Sequence, residues 1–266
     1  MRHWIVGWDG SPGSEAACGW AVATASAIGD LTLHLVHGLP LPAVTPHGFG
    51  RPPEDIVALS EEAARERIAR RASAIRAAGP PIATLVRRWL PAEALIEAVG
   101  ELDEPRLLVV GQHGSRARRA LLGSVSNEVT RTAPSPVVVV RGDSPAAPPR
   151  RVLVALDGSP PAFGAAAAIA TWFPAAEVRA VAVAHGEWRP EADELTRGLQ
   201  AAAPGLDWPL HVVQGSPAAA LLDLTHHKTD LVALGRRGRG GLSGLLVGSV
   251  ADKLLQLSPC PVMVAP

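Results

Sequence analysis

Cysteine is scarce in this chain: Cys18 and Cys260 are the only two, one in each half of 266 residues. A disulfide framework is therefore not expected, which fits a reducing cytosol. Lysine is as rare. Lys228 and Lys253 are the only ones, and neither follows a glycine. That excludes a Walker A phosphate loop, whose lysine stands directly behind glycine. Charge of one sign is missing too: 25 Lys+Arg balance 25 Asp+Glu. Nothing in that balance argues for a nucleic-acid or membrane-surface partner. The opening "MRHWIVGWDG" carries no apolar run of signal-peptide or membrane-spanning length. A cytoplasmic protein is the expectation.

What the chain does contain is duplication. Hydrophobic residues make up 47% and charged residues 19%, a composition that supplies two globular cores, and the length suggests two domains. "HWIVGWDGSPGSEAACGWAVATA" begins at His3, and "RVLVALDGSPPAFGAAAAIATW" begins at Arg151. "LHLVHG" (33–38) pairs with "AVAVAHG" (180–186), and "PAEALIEAV" (91–99) with "PAAALLDLT" (217–225). "APSPVVVV" (133–140) pairs with "SPCPVMVA" (258–265). The domains are read as 1–142 and 150–266, joined by the linker-like "DSPAAPP" (143–149). The first copy carries extra residues, most of them in the Pro/Gly-rich "LPLPAVTPHGFGRPP" (39–53).

Within each copy, short continuously apolar strands alternate with helices, from Trp4–Trp8 through a long helix near 54–78 to a final strand at Pro136–Val140. Ser11 is placed to cap the first helix, with Pro12 at its first position. The fold class expected is α/β: two tandem doubly wound domains, each a five-stranded parallel sheet with helices on both faces. Ligands of such sheets bind beyond the carboxyl ends of the strands, where strand order reverses.

That rule draws attention to two glycine-rich segments, "GQHGSRARRALLGSVSNEVTR" (111–131) behind Leu107–Val110 and "GRRGRGGLSGLLVGSVADKLL" (235–255) behind Leu231–Leu234. In the second, Gly235 and Gly238 can adopt backbone angles closed to other residues and admit a ligand close to the main chain. Gly248 and Ser249 open a helix whose first N–H groups lack internal partners, an anion site. Arg236, Arg237 and Arg239 add positive charge. The segment is read as a phosphate site. A dinucleotide fingerprint should follow the first strand, where "DGSPGS" and "DGSPPA" stand instead, so a nicotinamide-binding unit is not expected.

Gly235-x2-Gly238-x9-Gly248-Ser249, the DGS after the first strand, the histidine closing the second and the "SPCPVMV" final strand together resemble the universal stress protein (UspA) family, over essentially the whole chain as two tandem copies. The resemblance implies the five-stranded doubly wound fold of the adenine nucleotide alpha hydrolase-like group and binding of an adenine nucleotide: ATP, alone or with Mg2+. It places the aspartate near ribose and adenine, and the glycine loop and following serine around ribose and phosphates. In the second copy this implicates Ala155, Asp157, Gly186, Leu234, Gly235, Arg237, Gly238, Gly248, Ser249 and Val250. In the first it implicates Gly7, Asp9, Gly38, Val110, Gly111, His113, Gly114, Gly123, Ser124 and Ser126. The first copy departs from the pattern, with eight residues between its second and third motif glycines against nine, His113 in place of Arg237, and Trp89-Leu90 where the second has Gly215-Ser216. Gly38 and Gly186 stand where ATP-binding relatives usually carry an apolar side chain against adenine.

The implied role is a stress sensor or regulator without catalytic turnover. Two alternatives stay open: an interaction module that has lost its ligand, and a nucleotide-cleaving enzyme of the related fold. The family's pairing through the final strand implies an intramolecular pseudo-dimer through Pro136–Val140 and Pro261–Val264, with a further homodimer allowed. Asp9 and Asp157 are read as hydrogen-bond acceptors, and His37 and His185 as structural histidines without metal-ligand company. The mixed charges Glu61, Glu62, Arg65, Glu66, Arg67, Arg70 and Arg71 read as a solvated helix face, as do His226 and His227. Ser243 lacks nucleophile-elbow spacing. Trp89, Trp172 and Trp208 are expected in core or interface packing.

Overall fold

The same device starts both domains. In the computed structural model, which describes residues 2–39, 44–45, 48–49, 53–77, 79–103, 105–112, 122–226, 229–239 and 247–266, strand β1 (Arg2–Gly7) runs into helix α1 (Pro12–Ile28), and β8 (Arg151–Leu156) into α5 (Pro160–Trp172). Ser11 and Ser159 are the N-caps, accepting from the Ser14 and Ala162 amides, and each helix has proline in its first turn. The first domain continues through β2 (Leu31–Gly38), the two-residue strands β3 (Val44–Thr45) and β4 (Gly48–Phe49), α2 (Glu54–Arg76), β5 (Ile82–Arg87), α3 (Pro91–Gly100), β6 (Arg106–Gly111), α4 (Ser124–Thr132) and β7 (Val137–Val140). The second has β9 (Glu177–Ala184), α6 (Ala192–Ala202), β10 (Leu210–Gln214), α7 (Pro217–His226), β11 (Leu231–Gly235), α8 (Ser249–Leu257) and β12 (Val262–Ala265). The β3–β4 ladder falls in the Pro/Gly-rich insertion of the first copy.

The main strands form one ten-stranded sheet, in the order β10-β9-β8-β11-β12-β7-β6-β1-β2-β5. Within each domain every pairing of this sheet is parallel. The chain reverses direction across the sheet between β1 and β6, and again between β8 and β11, so those two positions are the switch points. The single antiparallel pairing of this sheet is the seam between domains. There Val262 faces Val139, Met263 faces Val138 and Val264 faces Val137. Both strands are wholly buried. The final strands thus cover each other inside one chain, the arrangement expected from their apolar edges. Met263 and Val138 point to one face of the sheet, the valines around them to the other.

Each hydrophobic layer runs through both domains. On one face an aromatic group crosses the seam: Trp4 stacks on Trp20 at 5.7 Å and meets Trp172 edge-on at 5.8 Å. Trp172 is core and interface at once, and Trp208 packs at the margin of the same layer. Trp89 is a correction to the packing expectation. It is 52% exposed, on the turn behind the sheet's edge strand β5.

Three side chains stitch the seam from outside the ladder. Arg236 donates to the Ala133 carbonyl (3.1 Å), Arg141 to the Gln256 carbonyl (3.2 Å) and Gln112 to the Leu255 carbonyl (3.4 Å). Gln112 and Arg236 hold equivalent places, one residue past the first motif glycine. Each reaches the end of the last helix in the other domain.

The α2 charge cluster is also not purely a solvated face. Arg65, Glu66, Arg67 and Arg70 are exposed, but Glu61 is buried, paired with Arg65 and taking the Arg88 guanidinium at 2.8 Å. Arg71 reaches Glu15 on α1 at 2.9 Å. The Arg88 hydrogen bond, reinforced by the charge of Arg65, outweighs burial and holds the Glu61 carboxyl below its ordinary value.

Two outcomes follow. Val138→Lys with Met263→Lys places two unpaired ammonium groups opposite each other in the dry seam. We expect a loss of at least ~3 kcal/mol for each change and a wider solution-scattering profile, with Val138→Leu as the neutral control. Glu61→Gln should lower stability at neutral pH, because a carboxyl depressed in the folded state stabilises it above the unfolded value of 4.5. The gap between wild type and variant should close as pH falls below 4.5 and through the depressed folded value, as read from denaturant midpoints across that range.

Candidate nucleotide site

At the end of β8 the backbone must turn sharply into α5. Gly158 does so at φ +80, and Gly10 makes the same turn in the first domain at φ +83. The aspartate before each glycine closes the turn. Asp157 Oδ1 accepts from the Ser159 amide (3.0 Å) and hydroxyl (2.6 Å), and Asp9 Oδ1 accepts from the Ser11 amide (2.8 Å). Burial pushes the Asp9 carboxyl up, but hydrogen bonds from Ser11 and Ser14 with the nearby His37 outweigh it, and the net direction is down. Both aspartates are thus acceptors for local amides. The histidines serve structure in the same way: His37 Nδ1 meets the Trp8 carbonyl at 2.9 Å, and His185 Nδ1 the Val183 carbonyl at 3.0 Å.

The glycine loop of the second domain is tied on three sides. The Arg236 amide donates to the Ala265 carbonyl on β12 (2.6 Å), and the Arg236 carbonyl accepts from Gly248 (2.8 Å). The Arg239 amide donates to Asp157 Oδ2 at 3.0 Å. The glycines serve this packing and not an unusual backbone: neither Gly235 nor Gly238 adopts a left-handed φ, which corrects the reason given for them above. A Cβ on Gly235 would lie 2.7 Å from the Ala162 amide nitrogen, in the first turn of α5. A Cβ on Gly238 would lie 2.4 Å from Asp157 Oδ2. Gly111 is under the same constraint as Gly235, since its Cβ would fall 2.1 Å from the Gly13 carbonyl oxygen.

Gly248 is the N-cap of α8 and Gly123 that of α4, and no side chain caps either helix. The first-turn amides behind Gly248 border a cavity of about 590 Å³ at the β8–β11 switch point. Its floor is apolar, from Ala155, Val181, Val183, Pro217, Leu221 and Leu234, and its rim carries Asp157, Arg237, Gly238, Arg239, Ser249 and Val250. Burial, and then the neighbouring Arg237, lowers the pKa of Arg236. One end of the cavity suits a flat apolar group and the other an anion.

Gly186 is the one second-copy candidate outside this lining. It turns the chain at φ +55. The wall there is made by His185 and Trp188, and Trp188 escaped the sequence reading. Its spacing from the strand-end histidine was the available signal: the turn pairs Trp188 back on His185, ring centroids 5.6 Å apart.

In the first domain Gly7, Asp9, Gly38, Val110, Gly111, Gly123, Ser124 and Ser126 line a cavity of about 220 Å³ at the β1–β6 switch point. His113 and Gly114 lie outside the described residues, as do His227 and Ser243. Ser126 is buried and gives its hydroxyl to the Gly111 carbonyl at 2.7 Å. The difference in volume has a cause. A Cβ on Gly38 would fall 2.5 Å from Pro91 Cα, so α3 starts hard against β2, whereas nothing lies within 4 Å of the corresponding point on Gly186. Trp89-Leu90 leads directly into α3. In the second domain Gly215, at φ +140, and Ser216 lead into α7.

Among the described residues no helix is long and apolar enough to cross a membrane. Residues 1–141 and 149–266 each match the sequence model of the universal stress protein family. A universal stress protein of Mycolicibacterium smegmatis is 32% identical over 286 residues, covering 98% of this chain and 95% of that one. One from Mycobacterium tuberculosis is 33% identical over 298 residues, with 98% and 95% covered. The crystal structure of a universal stress protein from Archaeoglobus fulgidus superposes with a TM-score of 0.80 at 21% identity, covering 99% of this chain and 97% of that one, a likeness of fold. With both halves matched and relatives aligned end to end, the chain belongs to the universal stress protein family, as a tandem member with two copies of the domain.

Proposed function

We propose that the chain binds an adenine nucleotide, ATP being the first candidate, in its second domain, and that it acts as a sensor or regulator in the cytoplasm without turning the nucleotide over. The observation that carries this is the two-ended cavity of about 590 Å³, apolar at the strand ends and cationic where α8 begins. It lies within the volume range of small-molecule sites, roughly 300–1,000 Å³, and the 220 Å³ cavity of the first domain lies below it. The first domain is accordingly read as the interaction half, its contribution being the seam.

The nucleotide's phosphates would meet the α8 amides, Ser249 and the arginine rim. Asp157 is the one carboxylate among the described lining residues, and its two oxygens accept from Ser159 and from Arg239. It is poorly placed as a general base or as a protein ligand for Mg2+. An ion arriving with the nucleotide would be held by the phosphates. This favours binding without catalysis over the cleaving enzyme.

Calorimetric titration of the full chain with ATP should give one site per chain. Gly238→Val should weaken it at least ~30-fold, about 2 kcal/mol, since the side chain would drive Asp157 and the loop apart. Gly123→Val, in the first domain, should leave stoichiometry and affinity unchanged. Two equal sites, or ATP binding unaffected by Gly238→Val, would overturn the assignment.

A further inference from the structure

The cavity's cationic rim is explained by the loop and helix that build it, but its wall holds a feature that the phosphate argument does not use. Trp188 stands half-buried in the wall beside the apolar floor, neither packed in the core nor fully in solvent. A large aromatic ring left partly wet at a cavity mouth has apolar area still to bury.

The ring is also held in place. Gly186 turns the chain at φ +55, and the Trp188 amide donates back to the His185 carbonyl at 3.0 Å. Arg189 then clamps the turn from outside, its guanidinium donating to the Gly186 carbonyl (2.8 Å) and the Trp188 carbonyl (3.1 Å). The His185 ring leans on Trp188 at 56°. His185, Gly186 and Arg189 thus hold one indole at the cavity. Such an ordered surface loses little freedom when a ligand arrives.

The indole already attracts a flat, cationic group. The Arg239 guanidinium lies 5.8 Å from the ring centroid, within cation–π range, while its own backbone amide is the one held by Asp157. Arg239 is exposed at its side chain, so the guanidinium can leave the ring without breaking a buried contact. Among the described residues that line the first domain's cavity, no tryptophan is exposed in this way. Trp8 borders its cavity but is buried, with its indole N–H donating to Glu15 at 2.9 Å.

We infer that Trp188 is the stacking platform for the ligand's aromatic base in the second domain, and that Arg239 occupies the ring until the base displaces it. This rests on the reading of the cavity as a nucleotide site and adds which residue recognises the base. Stacking is tolerant of base identity because every base offers a π-face. The site should therefore select an aromatic base over none and discriminate weakly between purines.

The test is ATP titration of the full chain as wild type, Trp188→Ala and Trp188→Phe, with thermal melting of each. Trp188→Ala should weaken ATP roughly 5- to 150-fold, the range for removing one base–aromatic stack, and Trp188→Phe should stay within about threefold of wild type. Both should melt within a few degrees of wild type, because the ring is outside the core. GTP should follow the same pattern across the three proteins. Wild-type affinity in Trp188→Ala overturns the platform while leaving the nucleotide site standing. Loss in Trp188→Phe as large as in Trp188→Ala, with melting unchanged, overturns stacking as the mechanism. Absence of ATP binding by the wild type overturns the underlying reading itself.

Discussion

The three residue pairs where β12 runs antiparallel to β7 fix most of what this molecule can do. Each domain alone would end in a strand of buried-type valines with an unpaired edge, an invitation to other chains. Pairing the two final strands removes both edges at once. Because the pairing is antiparallel, the parallel strands of one domain point opposite to those of the other. Their carboxyl ends, and therefore the two cavities, open at opposite margins of the sheet. No ligand can be shared between them. Any influence of one on the other has to pass through the seam.

The seam is built to be felt at the site. Arg236 borders the cavity, donates through its amide to β12, accepts from the amide that opens α8 and reaches Ala133 of the other domain. Loop, final strand, the start of α8 and the other domain meet at this single residue. Gln112 holds the mirrored place, its amide on Val140 and its side chain on Leu255. The cross-domain contacts are therefore paired with the residues that follow Gly111 and Gly235, the first motif glycines. Those glycines are needed because the loop's strand lies against the first turn of α1 or α5 with no room for a Cβ.

Much of this was legible in the sequence. The repeat, the strand–helix alternation and the capping serines are local signals, and local signals survive without tertiary context. The glycines were found for the right places and partly the wrong reason. Glycine spacing reports that a Cβ is forbidden, and cannot say whether a left-handed φ or a neighbouring backbone forbids it. Here Gly158 answers to the first cause and Gly235 to the second, while Gly238 makes room for the Asp157 carboxylate. Glu61 looked like one charge among many on a helix. Only the fold brings Arg88, on the turn after β5, over it. Trp188 had one signal, its spacing from the strand-end histidine, and its local composition is that of any surface tryptophan. Trp89 shows the converse, an exposed ring at the sheet's edge.

The two copies have diverged through backbone packing more than through their signature residues. Asp9 and Asp157 close the same turn with the same serine contact, and Gly123 and Gly248 cap their helices with nearly the same angles, ψ 158 and 151. What separates the cavities is the approach of one helix. In the first domain Trp89-Leu90 delivers Pro91 onto Gly38, and the glycine there is the residue that permits the contact. In the second, Gly186 faces open space, and the cavity is bordered by an indole. The same residue type at one motif position therefore has opposite consequences. Gly38 lets a helix in and narrows the cavity, whereas Gly186 bends the chain so that a side chain two residues later can face it. A motif comparison scores the two positions as identical. Gly38 stands against the start of α3 beside a site of about 220 Å³, and Gly186 faces open space beside one of about 590 Å³.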